Sequence, residues 1–483
     1  MNFAEMFGRE GNVKYTENGG KALSSTNGGA LLDLFATIGG MRNRDAAEID
    51  AKWRAARKEN SGLADNLILY TRDIRSGGLG ERRLGRIMLH RLAYLDPEKV
   101  IRNFDRIVEV GRWDDLLTLI DTPVRGAVID YINEQLKADL KGMMNNQPIS
   151  ICAKWMPSIN TSSRETRELA NEIRTALGLK AKAYRKMLSK LRAYLNVLEV
   201  KMSNGQWDEI NFESVPSVAM NRYMKSFNIH CQESFQAYKD SLIKGEKKIN
   251  AATLYPYDIV EKILYDRRNA DMTILEEQWK ALPNYVEGNH NVVCICDVSG
   301  SMTGRPMATS VGLGIYFAQR NTGAYHNMYM TFTSDADICK IQDHWSLQEC
   351  IRQVQDADWG WSTNLDRAYQ RIFDIAKICG DAPTALVVIS DMEIDTWDCS
   401  ENQAHSITEK WAKKYAAIGL KAPKLIYWNV NARNDTYHAT ASDNVAFVSG
   451  SSAGVFKNMT ELITNSAYDS MVKILSKPAF SWN

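Results

Sequence analysis

The sequence lacks the features that mark membrane, secreted and low-complexity proteins. Across 483 residues no apolar run approaches the roughly 18–20 residues that a membrane-spanning helix needs. The segment Met1-Asn-Phe-Ala-Glu5 has neither the basic nor the apolar region of a secretion signal. With 45% hydrophobic and 24% charged residues, the composition is that of a globular protein. We therefore expect a cytoplasmic protein that does not contact a membrane.

Recognisable catalytic and zinc-binding patterns are also missing. The eight cysteines form no Cys-x-x-Cys pair and have no zinc-ligand spacing. Cys294 and Cys296 alternate within an apolar run, which predicts core thiols on a buried strand. The seven histidines are isolated, and no Gly-x-Ser-x-Gly sequence or Cys–His pairing is readable. We therefore expect a protein that is not an enzyme.

The net charge of +1 hides an uneven distribution along the chain. Basic residues outnumber acidic ones before residue 291, and the reverse holds after it. A surface for a polyanion would therefore have to lie in the front part. At this length, two or three domains are expected.

Up to about residue 285, the apolar residues recur at helical spacing. Stops such as Gly77-Gly78 and Asp96-Pro97 separate the segments. The predicted helices span residues 29–39, 48–59, 63–75, 80–95, 97–110, 113–120, 124–143, 166–176, 184–202, 217–227 and 259–268. Many short helices favour stacked pairs of the HEAT or armadillo kind. We predict an α-helical repeat module over residues 1–288.

From residue 291 the pattern changes to buried strands that alternate with helices. The predicted strands are residues 291–296, 328–332, 385–389, 424–428 and 445–448. The predicted helices are residues 307–319, 346–354, 364–378, 403–418 and 462–475. This alternation is typical of a doubly wound, Rossmann-like α/β domain, here over residues 289–483. Its ligand site should lie at the carboxyl ends of the strands, near the switch point.

Oxygen-bearing side chains follow two of these strands. The first strand leads into Asp297-Val-Ser299-Gly-Ser301, and a later one ends at Asp391. Thr363 lies in a loop before a helix. Carboxylate and hydroxyl oxygens are the hard ligands that magnesium requires. These five residues therefore predict a site for Mg²⁺ or for another divalent cation such as Mn²⁺ or Ca²⁺.

Asp-x-Ser-x-Ser, a Thr loop and a strand-end Asp, in this order, resemble the metal-ion-dependent adhesion site of von Willebrand A (vWA) domains. The likeness covers residues 291 to about 476. It implies that Asp297, Ser299 and Ser301 surround the metal. Thr363 would be a ligand in one state, and Asp391 would bind directly or through water. An open coordination position would accept a carboxylate from a protein partner.

Two positions depart from the vWA pattern. Trp361-Ser362 replaces the glycine pair usual before the Thr, and Met392-Glu393 stands after Asp391 in place of a glycine. The second change leaves Asp391, Glu393 and Asp395 alternating near Asp297, as carboxylates do in a metal nuclease. A hydroxyl-rich loop instead suits one ion that binds without hydrolysis. A plain turn rich in capping residues is a weaker explanation, because three elements occur in the right order.

The densest basic cluster lies on a predicted helix. Lys182, Lys186 and Lys190 recur every four residues and form one stripe, and leucines form another, so one face can be buried while cations cover the other. Tyr184 and Arg185 would add stacking and phosphate-fork chemistry. By spacing alone, a solvated helix face is the simpler interpretation.

A second basic cluster, Arg72–Arg86, contains several glycines. No Gly-Lys-[Ser/Thr] follows them, which excludes a Walker phosphate loop. Arg82 and Arg83 are its candidate contacts for nucleic acid.

Several segments of the front part together resemble the helical (TROVE) module of Ro ribonucleoprotein autoantigens. They are Leu32-Asp-Leu-Phe, Arg75-Ser-Gly-Gly-Leu-Gly-Glu-Arg-Arg, Gly111-Arg-Trp-Asp-Asp, Ala153-Lys-Trp-Met-Pro and Tyr184-Arg-Lys-Met-Leu-Ser-Lys-Leu-Arg192. The order of helical module and vWA domain is similar to a bacterial, phage and plant branch of that family. The resemblance implies a ring of helical repeats closed by the vWA domain. Structured RNAs would bind the outer basic surface, and single-stranded ends would enter the hole.

This resemblance leads to one main hypothesis and two alternatives. The main hypothesis is an RNA-binding scaffold for small non-coding or misfolded RNA, acting in RNA stability or quality control. The RNA contacts that it implies are Lys182, Arg185, Lys186, Lys190 and Arg192, with Arg82 and Arg83 as weaker candidates. The first alternative is a protein-interaction module whose metal captures an acidic residue, and the second is the metal nuclease.

Overall fold

The computed structural model describes residues 11–286, 291–356, 363–395 and 407–483. The chain divides into two compact units. The first contains the residues up to Leu84 together with Ile249–Ser481, and the second contains Gly85–Lys248 with Trp482–Asn483. This division does not coincide with the boundary at residues 288 and 289 that the change in periodicity predicts. Helices from both ends of the front part belong to the same unit as the sheet.

The first unit begins with a small hairpin and three helices. Antiparallel strands β1 (Val13–Tyr15) and β2 (Lys21–Leu23) pair with each other. The helices that follow are α1 (Ala30–Thr37), α2 (Ala46–Glu59) and α3 (Ser61–Arg72). α1 is nearly all buried, since it packs against α2 and against the last strand of the sheet. These helices are therefore part of the α/β core.

The second unit is helical throughout its described part. Its helices are α4 (Arg82–Leu95, which begins in the first unit), α5 (Pro97–Arg102), α6 (Phe104–Val110), α7 (Trp113–Leu116), α8 (Arg125–Met144), α9 (Cys152–Trp155), α10 (Arg164–Ala176), α11 (Ala181–Tyr194), α12 (Leu198–Ser203), α13 (Ser217–His230) and α14 (Gln232–Ile243). Asp96 caps α5 by accepting from the amide of Lys99 at 3.1 Å, with Pro97 as first helical residue. Asp96-Pro97 therefore separates α4, which ends at Leu95, from α5, which begins at Pro97, as the sequence predicts.

The remainder of the first unit is built around a six-stranded sheet. The strands are β3 (Val292–Asp297), β4 (Met328–Phe332), β5 (Ala336–Lys340), β6 (Ala385–Ser390), β7 (Lys424–Asn429) and β8 (Val445–Ser449). The helices are α15 (Pro256–Tyr265), α16 (Met272–Lys280), α17 (Arg305–Arg320), α18 (Leu347–Gln355), α19 (Leu365–Cys379), α20 (Ile407–Ala417), α21 (Met459–Thr464) and α22 (Ala467–Leu475).

The strand order is β5-β4-β3-β6-β7-β8, and only β5 runs antiparallel to its neighbour. The order reverses at β3, which pairs with β4 on one side and with β6 on the other. In a doubly wound sheet, a ligand site forms where the order reverses, beyond the carboxyl ends of the strands. Here these ends are Asp297 on β3 and Ser390 on β6.

The architecture confirms the predicted combination of a helical part with a doubly wound α/β part. The sequence missed the β1–β2 hairpin, the antiparallel β5, and helices α14 and α16. It also predicted one helix over residues 184–202, where α11 and α12 are separate. Asn196, between them, has a φ of 50°, a left-handed conformation that interrupts the helix. Within the described residues, no helix is both long and apolar enough to span a bilayer.

Candidate functional site

Four of the five predicted metal ligands converge at the carboxyl edge of the sheet. Asp297 ends β3, and its carboxylate accepts from the amide of Ser299 at 2.9 Å and from the hydroxyl of Ser390 at 2.6 Å. The hydroxyls of Ser299 and Ser301 lie 3.2 Å apart. Ser301 in turn hydrogen-bonds the carboxylate of Asp391, the residue that follows β6. The Asp-x-Ser-x-Ser loop therefore bridges the ends of two parallel strands.

Both carboxylates are buried and close together. Asp297 is 0% exposed and Asp391 is 1% exposed. Burial raises the pKa of Asp297, and the neighbouring charge of Asp391 raises it further. Burial also raises the pKa of Asp391. Two desolvated carboxylates of like charge are costly unless a cation compensates them.

Thr363 adds a buried hydroxyl to the same edge. Its side chain is fully buried, and its Oγ1 has no hydrogen-bond partner among the described residues. Two hydrogen bonds of the Thr363 backbone tie this loop to the one after β6. The Thr363 amide donates to the side-chain oxygen Oδ2 of Asp395 at 2.5 Å, and the Asp395 amide donates to the Thr363 carbonyl at 3.1 Å. Trp361-Ser362, which departs from the vWA pattern, lies outside the described residues.

This donor set fits a hard divalent cation. It consists of two carboxylates and three hydroxyls, and all five are oxygen ligands of the kind that Mg²⁺ and Ca²⁺ take. One of the hydroxyls, that of Thr363, has no partner in the described ranges. Within the described ranges, no three His, Cys, Asp or Glu side chains form a metal-binding group. A cation here would therefore depend on Ser299, Ser301 and Thr363 as well as on the two aspartates.

The other two carboxylates of the nuclease hypothesis have different partners. Glu393 Oε2 accepts from the amide of Glu17 at 2.7 Å, and Glu393 Oε1 accepts from Asn434 at 3.1 Å. Asp395 is bonded to the Thr363 amide. These contacts hold Glu393 against the N-terminal hairpin and Asp395 against a neighbouring loop. The arrangement favours a single-ion site with two carboxylates.

Met392 stands where the vWA pattern has a glycine, and its backbone shows why a glycine suits that position. Met392 has a φ of 64°, in the left-handed region that costs an ordinary side chain roughly 1 kcal/mol or more. The side chain is buried, and the Met392 carbonyl lies 2.9 Å from His438 Nε2. The turn is therefore retained without the glycine, and the amide of Glu393 donates to Asp391 Oδ1 at 3.1 Å.

Sequence reasoning missed Arg433, which contacts the site from the loop after β7. Arg433 Nη2 lies 2.9 Å from Asp391 Oδ2 and 3.3 Å from Glu17 Oε2. Its position four residues after β7 could have suggested it, since the carboxyl ends of parallel strands share one edge of the sheet. The contribution of Glu17, which lies about 400 residues before Arg433 in the chain, had no signal in the sequence.

The predicted RNA-contacting residues of α11 separate into two groups. Lys182, Arg185, Lys186 and Lys190 are exposed, and none has a carboxylate or hydrogen-bond partner within the described part of the chain. Arg192 instead points inward: its guanidinium donates to Ala153 O at 2.9 Å, Met156 O at 2.6 Å and Ser158 Oγ at 2.7 Å. Burial lowers its pKa. The geometry assigns Arg192 a structural role.

Tyr184 is also structural, because its side chain is 0% exposed and its hydroxyl donates to Pro157 O at 3.0 Å. It cannot stack on a base, contrary to the sequence-based expectation. Two quoted segments, 111–115 and 153–157, meet nearby, where the Arg112 guanidinium lies 4.0 Å from the centre of the Trp155 ring. Such a stacked cation–aromatic pair stabilises the packing beneath α11.

The glycines of the second basic cluster serve backbone packing. A Cβ at Gly77 would lie 3.1 Å from the Gly454 carbonyl, and Gly77 has a φ of 100°. Arg82 and Arg83 are both exposed at the start of α4, and Arg83 donates to the Arg42 carbonyl at 3.1 Å.

Comparison with known proteins gives matches to both parts of the chain. The model of a domain of unknown function (DUF2828) matches residues 124–289, and that of another (DUF7788) matches residues 291–473. An uncharacterized protein of Acanthamoeba polyphaga mimivirus is 29% identical, with 92% of this chain and 84% of the relative covered. Among solved structures, Deinococcus radiodurans RO (RSR) protein aligns over 88% of this chain and 92% of its own, with 15% identity. The TM-score of 0.39 is too low to establish a common fold.

Proposed function

We propose that the protein is a non-enzymatic RNA-binding scaffold of the Ro type, in which the exposed face of α11 contacts RNA. The observation that carries this proposal is a set of four exposed cations on α11 that have no partner among the described residues: Lys182, Arg185, Lys186 and Lys190. Elsewhere in the same unit an exposed cation can pair with a carboxylate on its own helix, as Arg164 does with Glu168 on α10. A face of uncompensated cations attracts a polyanion.

The spacing of the lysines suits a phosphate backbone. Lys182, Lys186 and Lys190 are four residues apart on one helix, so they rise by about 6 Å from one to the next. Such contacts release counterions on binding, and a handful of them gives micromolar, salt-sensitive affinity. The ligand class is small structured RNA, since the proposal rests on backbone contacts and on the resemblance of the quoted segments to Ro proteins.

The first experiment identifies nucleic acid that copurifies with the full chain at low salt, by absorbance ratio and then by sequencing. The recovered RNA is then titrated against wild type and the variant Lys182→Glu plus Lys186→Glu. The variant should bind at least about tenfold more weakly, and the salt dependence should decrease by a slope of about 1.5 for two lost phosphate contacts. Lys225→Glu plus Lys244→Glu makes the same charge change on exposed residues of the same unit and is the matched control.

Two results would contradict the RNA proposal. One is a protein that elutes without nucleic acid and binds no structured RNA. The other is an equal loss of affinity in the α11 variant and in its control, which would mean that only net charge matters. Loss of intact RNA in the presence of Mg²⁺, abolished by Asp391→Asn, would instead support the nuclease alternative.

The strand-edge site supports a second binding role for the same scaffold. In this proposal a divalent cation is held by Asp297, Ser299, Ser301, Thr363 and Asp391, and it captures an acidic residue of a protein partner. The buried hydroxyl of Thr363, which has no hydrogen-bond partner among the residues that the structure describes, favours this role. An acidic peptide should bind only in the presence of Mg²⁺, and Asp297→Asn should abolish that binding without affecting RNA.

A further inference from the structure

A positively charged side chain of the protein, Arg433, already lies beside the strand-edge carboxylates. Arg433 Nη2 donates to Asp391 Oδ2 at 2.9 Å. The Asp391 side chain is 0% exposed, whereas the Arg433 side chain is 35% exposed. The guanidinium therefore reaches the buried carboxylate from the solvent side, where it has room to move.

The same guanidinium nitrogen also faces a second carboxylate. Glu17, in the turn between β1 and β2, places its Oε2 3.3 Å from Arg433 Nη2. The Asn434 side chain holds the other oxygen of Glu17 at 2.8 Å. Because Glu17 is half-exposed, it can accept a stronger bond from Arg433 without desolvation.

The turn that carries Glu17 is fixed to the loop after β6. Thr16 Oγ1 donates to the Ile394 carbonyl at 2.9 Å, and Asn18 Nδ2 donates to the Glu393 carbonyl at 2.5 Å. The Glu17 amide donates to Glu393 Oε2 at 2.7 Å. Glu17 is therefore held beside the site by its backbone, whichever partner its carboxylate has.

We propose that Arg433 is an exchangeable counter-ion of this site, which pairs with Asp391 in the absence of a divalent cation and transfers to Glu17 when one binds. The inference rests on the proposed cation site. A divalent cation bound to the Asp391 carboxylate would repel the guanidinium that donates to Asp391 Oδ2, so the two positive charges compete for this carboxylate. Glu17 lowers the cost of the exchange by offering Arg433 a second carboxylate.

The exchange predicts opposite changes in metal affinity when Arg433 and Glu17 are replaced. Arg433→Gln removes the competitor, so Mn²⁺ used as the probe should bind about tenfold more tightly. Glu17→Gln removes the alternative partner, so Mn²⁺ should bind about threefold more weakly. In the double variant the Glu17 substitution should not change the Mn²⁺ affinity further, because the arginine that would pair with Glu17 is absent.

The experiment is a Mn²⁺ titration of the full chain, read from the electron paramagnetic resonance signal of the free ion and repeated with Mg²⁺ by calorimetry. Arg44→Gln is the matched control, because Arg44 pairs with Asp435 at 2.6 Å, two residues from Arg433. It should leave the Mn²⁺ affinity unchanged. Arg433→Lys keeps the positive charge but loses the paired N–H donors of the guanidinium. Its Mn²⁺ affinity should lie between those of wild type and Arg433→Gln.

The titration distinguishes failure of the proposed exchange from failure of the proposed cation site. Weaker Mn²⁺ binding by Arg433→Gln, or additive effects in the double variant, would overturn the exchange and leave the cation site standing. Absence of Mn²⁺ and Mg²⁺ binding in every variant would overturn both. Neither result would bear on RNA binding, which is tested by the substitutions on α11 in the second unit.

Discussion

The strand edge of the α/β part and the exposed face of α11 use charge in opposite ways. At the strand edge, two buried carboxylates interact electrostatically, and their oxygens accept hydrogen bonds from the protein. On α11, four cations lie in solvent and have no partner within the described part of the chain. A buried charge gains its selectivity from fixed geometry, whereas an exposed charge attracts any polyanion that can reach it. The first arrangement suits one ion, and the second suits a backbone of repeating phosphates.

The largest expected effect concerns the buried side of this comparison. Asp297→Asn should weaken Mn²⁺ binding at least about 100-fold, because it removes one of the two carboxylate ligands. Loss of a residue that only hydrogen-bonds a metal ligand already weakens metal binding by about 10- to 100-fold. Calorimetry on the full chain measures it. Glu393→Gln is the control and should change the affinity little, because Glu393 is engaged by Glu17 and Asn434. Equal losses in both variants would mean that the carboxylates act as one cluster, as a nuclease site requires.

The next prediction separates the two groups of cations on α11. Arg192→Ala leaves the acceptors at Ala153, Met156 and Ser158 without their donor, so the free energy of unfolding should fall by about 3 kcal/mol. At a temperature where the variant is folded, its RNA affinity should stay within about twofold of wild type. Lys190→Ala should show the reverse: unchanged denaturation and weaker RNA binding. A large loss of RNA affinity in the folded Arg192 variant would contradict the structural role.

Thr363→Val tests whether the buried hydroxyl without a partner serves a ligand. The substitution keeps the shape and both backbone bonds to Asp395. It removes a desolvated polar atom, so the protein without added cation should be more stable by about 1 kcal/mol. Cation affinity should fall about tenfold, the scale of losing one well-placed oxygen. Thermal denaturation with and without Mg²⁺ measures both effects, and a loss of stability without Mg²⁺ would indicate an unseen partner of the hydroxyl.

The smallest expected effect extends the comparison to a carboxylate outside the site, Asp258, which is partly exposed to solvent. Burial raises the pKa of Asp258, in the first turn of α15, to about 6. Because the folded state then binds this proton more tightly than the unfolded chain, ionisation of Asp258 lowers stability as the pH rises from about 4 to about 6.

Asp258→Asn should therefore be more stable than wild type by about 1–2 kcal/mol at neutral pH and equally stable near pH 4. The amide oxygen can still accept from the Tyr255 amide, which Asp258 Oδ2 does now at 2.9 Å. Urea denaturation at the two pH values checks the difference. A variant that is less stable at neutral pH would show that the ionised carboxylate is stabilised by Arg42.

The elements of the α/β part were predictable because local pattern and tertiary role agree there. Continuous apolar runs become strands β3, β6, β7 and β8, which are buried at every position. β5 was not predictable, since only two of its five residues are buried and it lies at the edge of the sheet. The ring of helical repeats stays a prediction that follows from the family resemblance.

The sequence by itself determined the two types of architecture, the order of the ligand motif and the exposed stripe of lysines. Each of these depends on a period or on a spacing within a few residues, which the chain encodes locally. Only the tertiary structure decided that Arg192 and Tyr184 face inward, and that Arg433 and Glu17 meet beside Asp391. Such contacts join residues up to about four hundred positions apart, so they depend on the register of strands and the docking of loops, for which no local pattern exists.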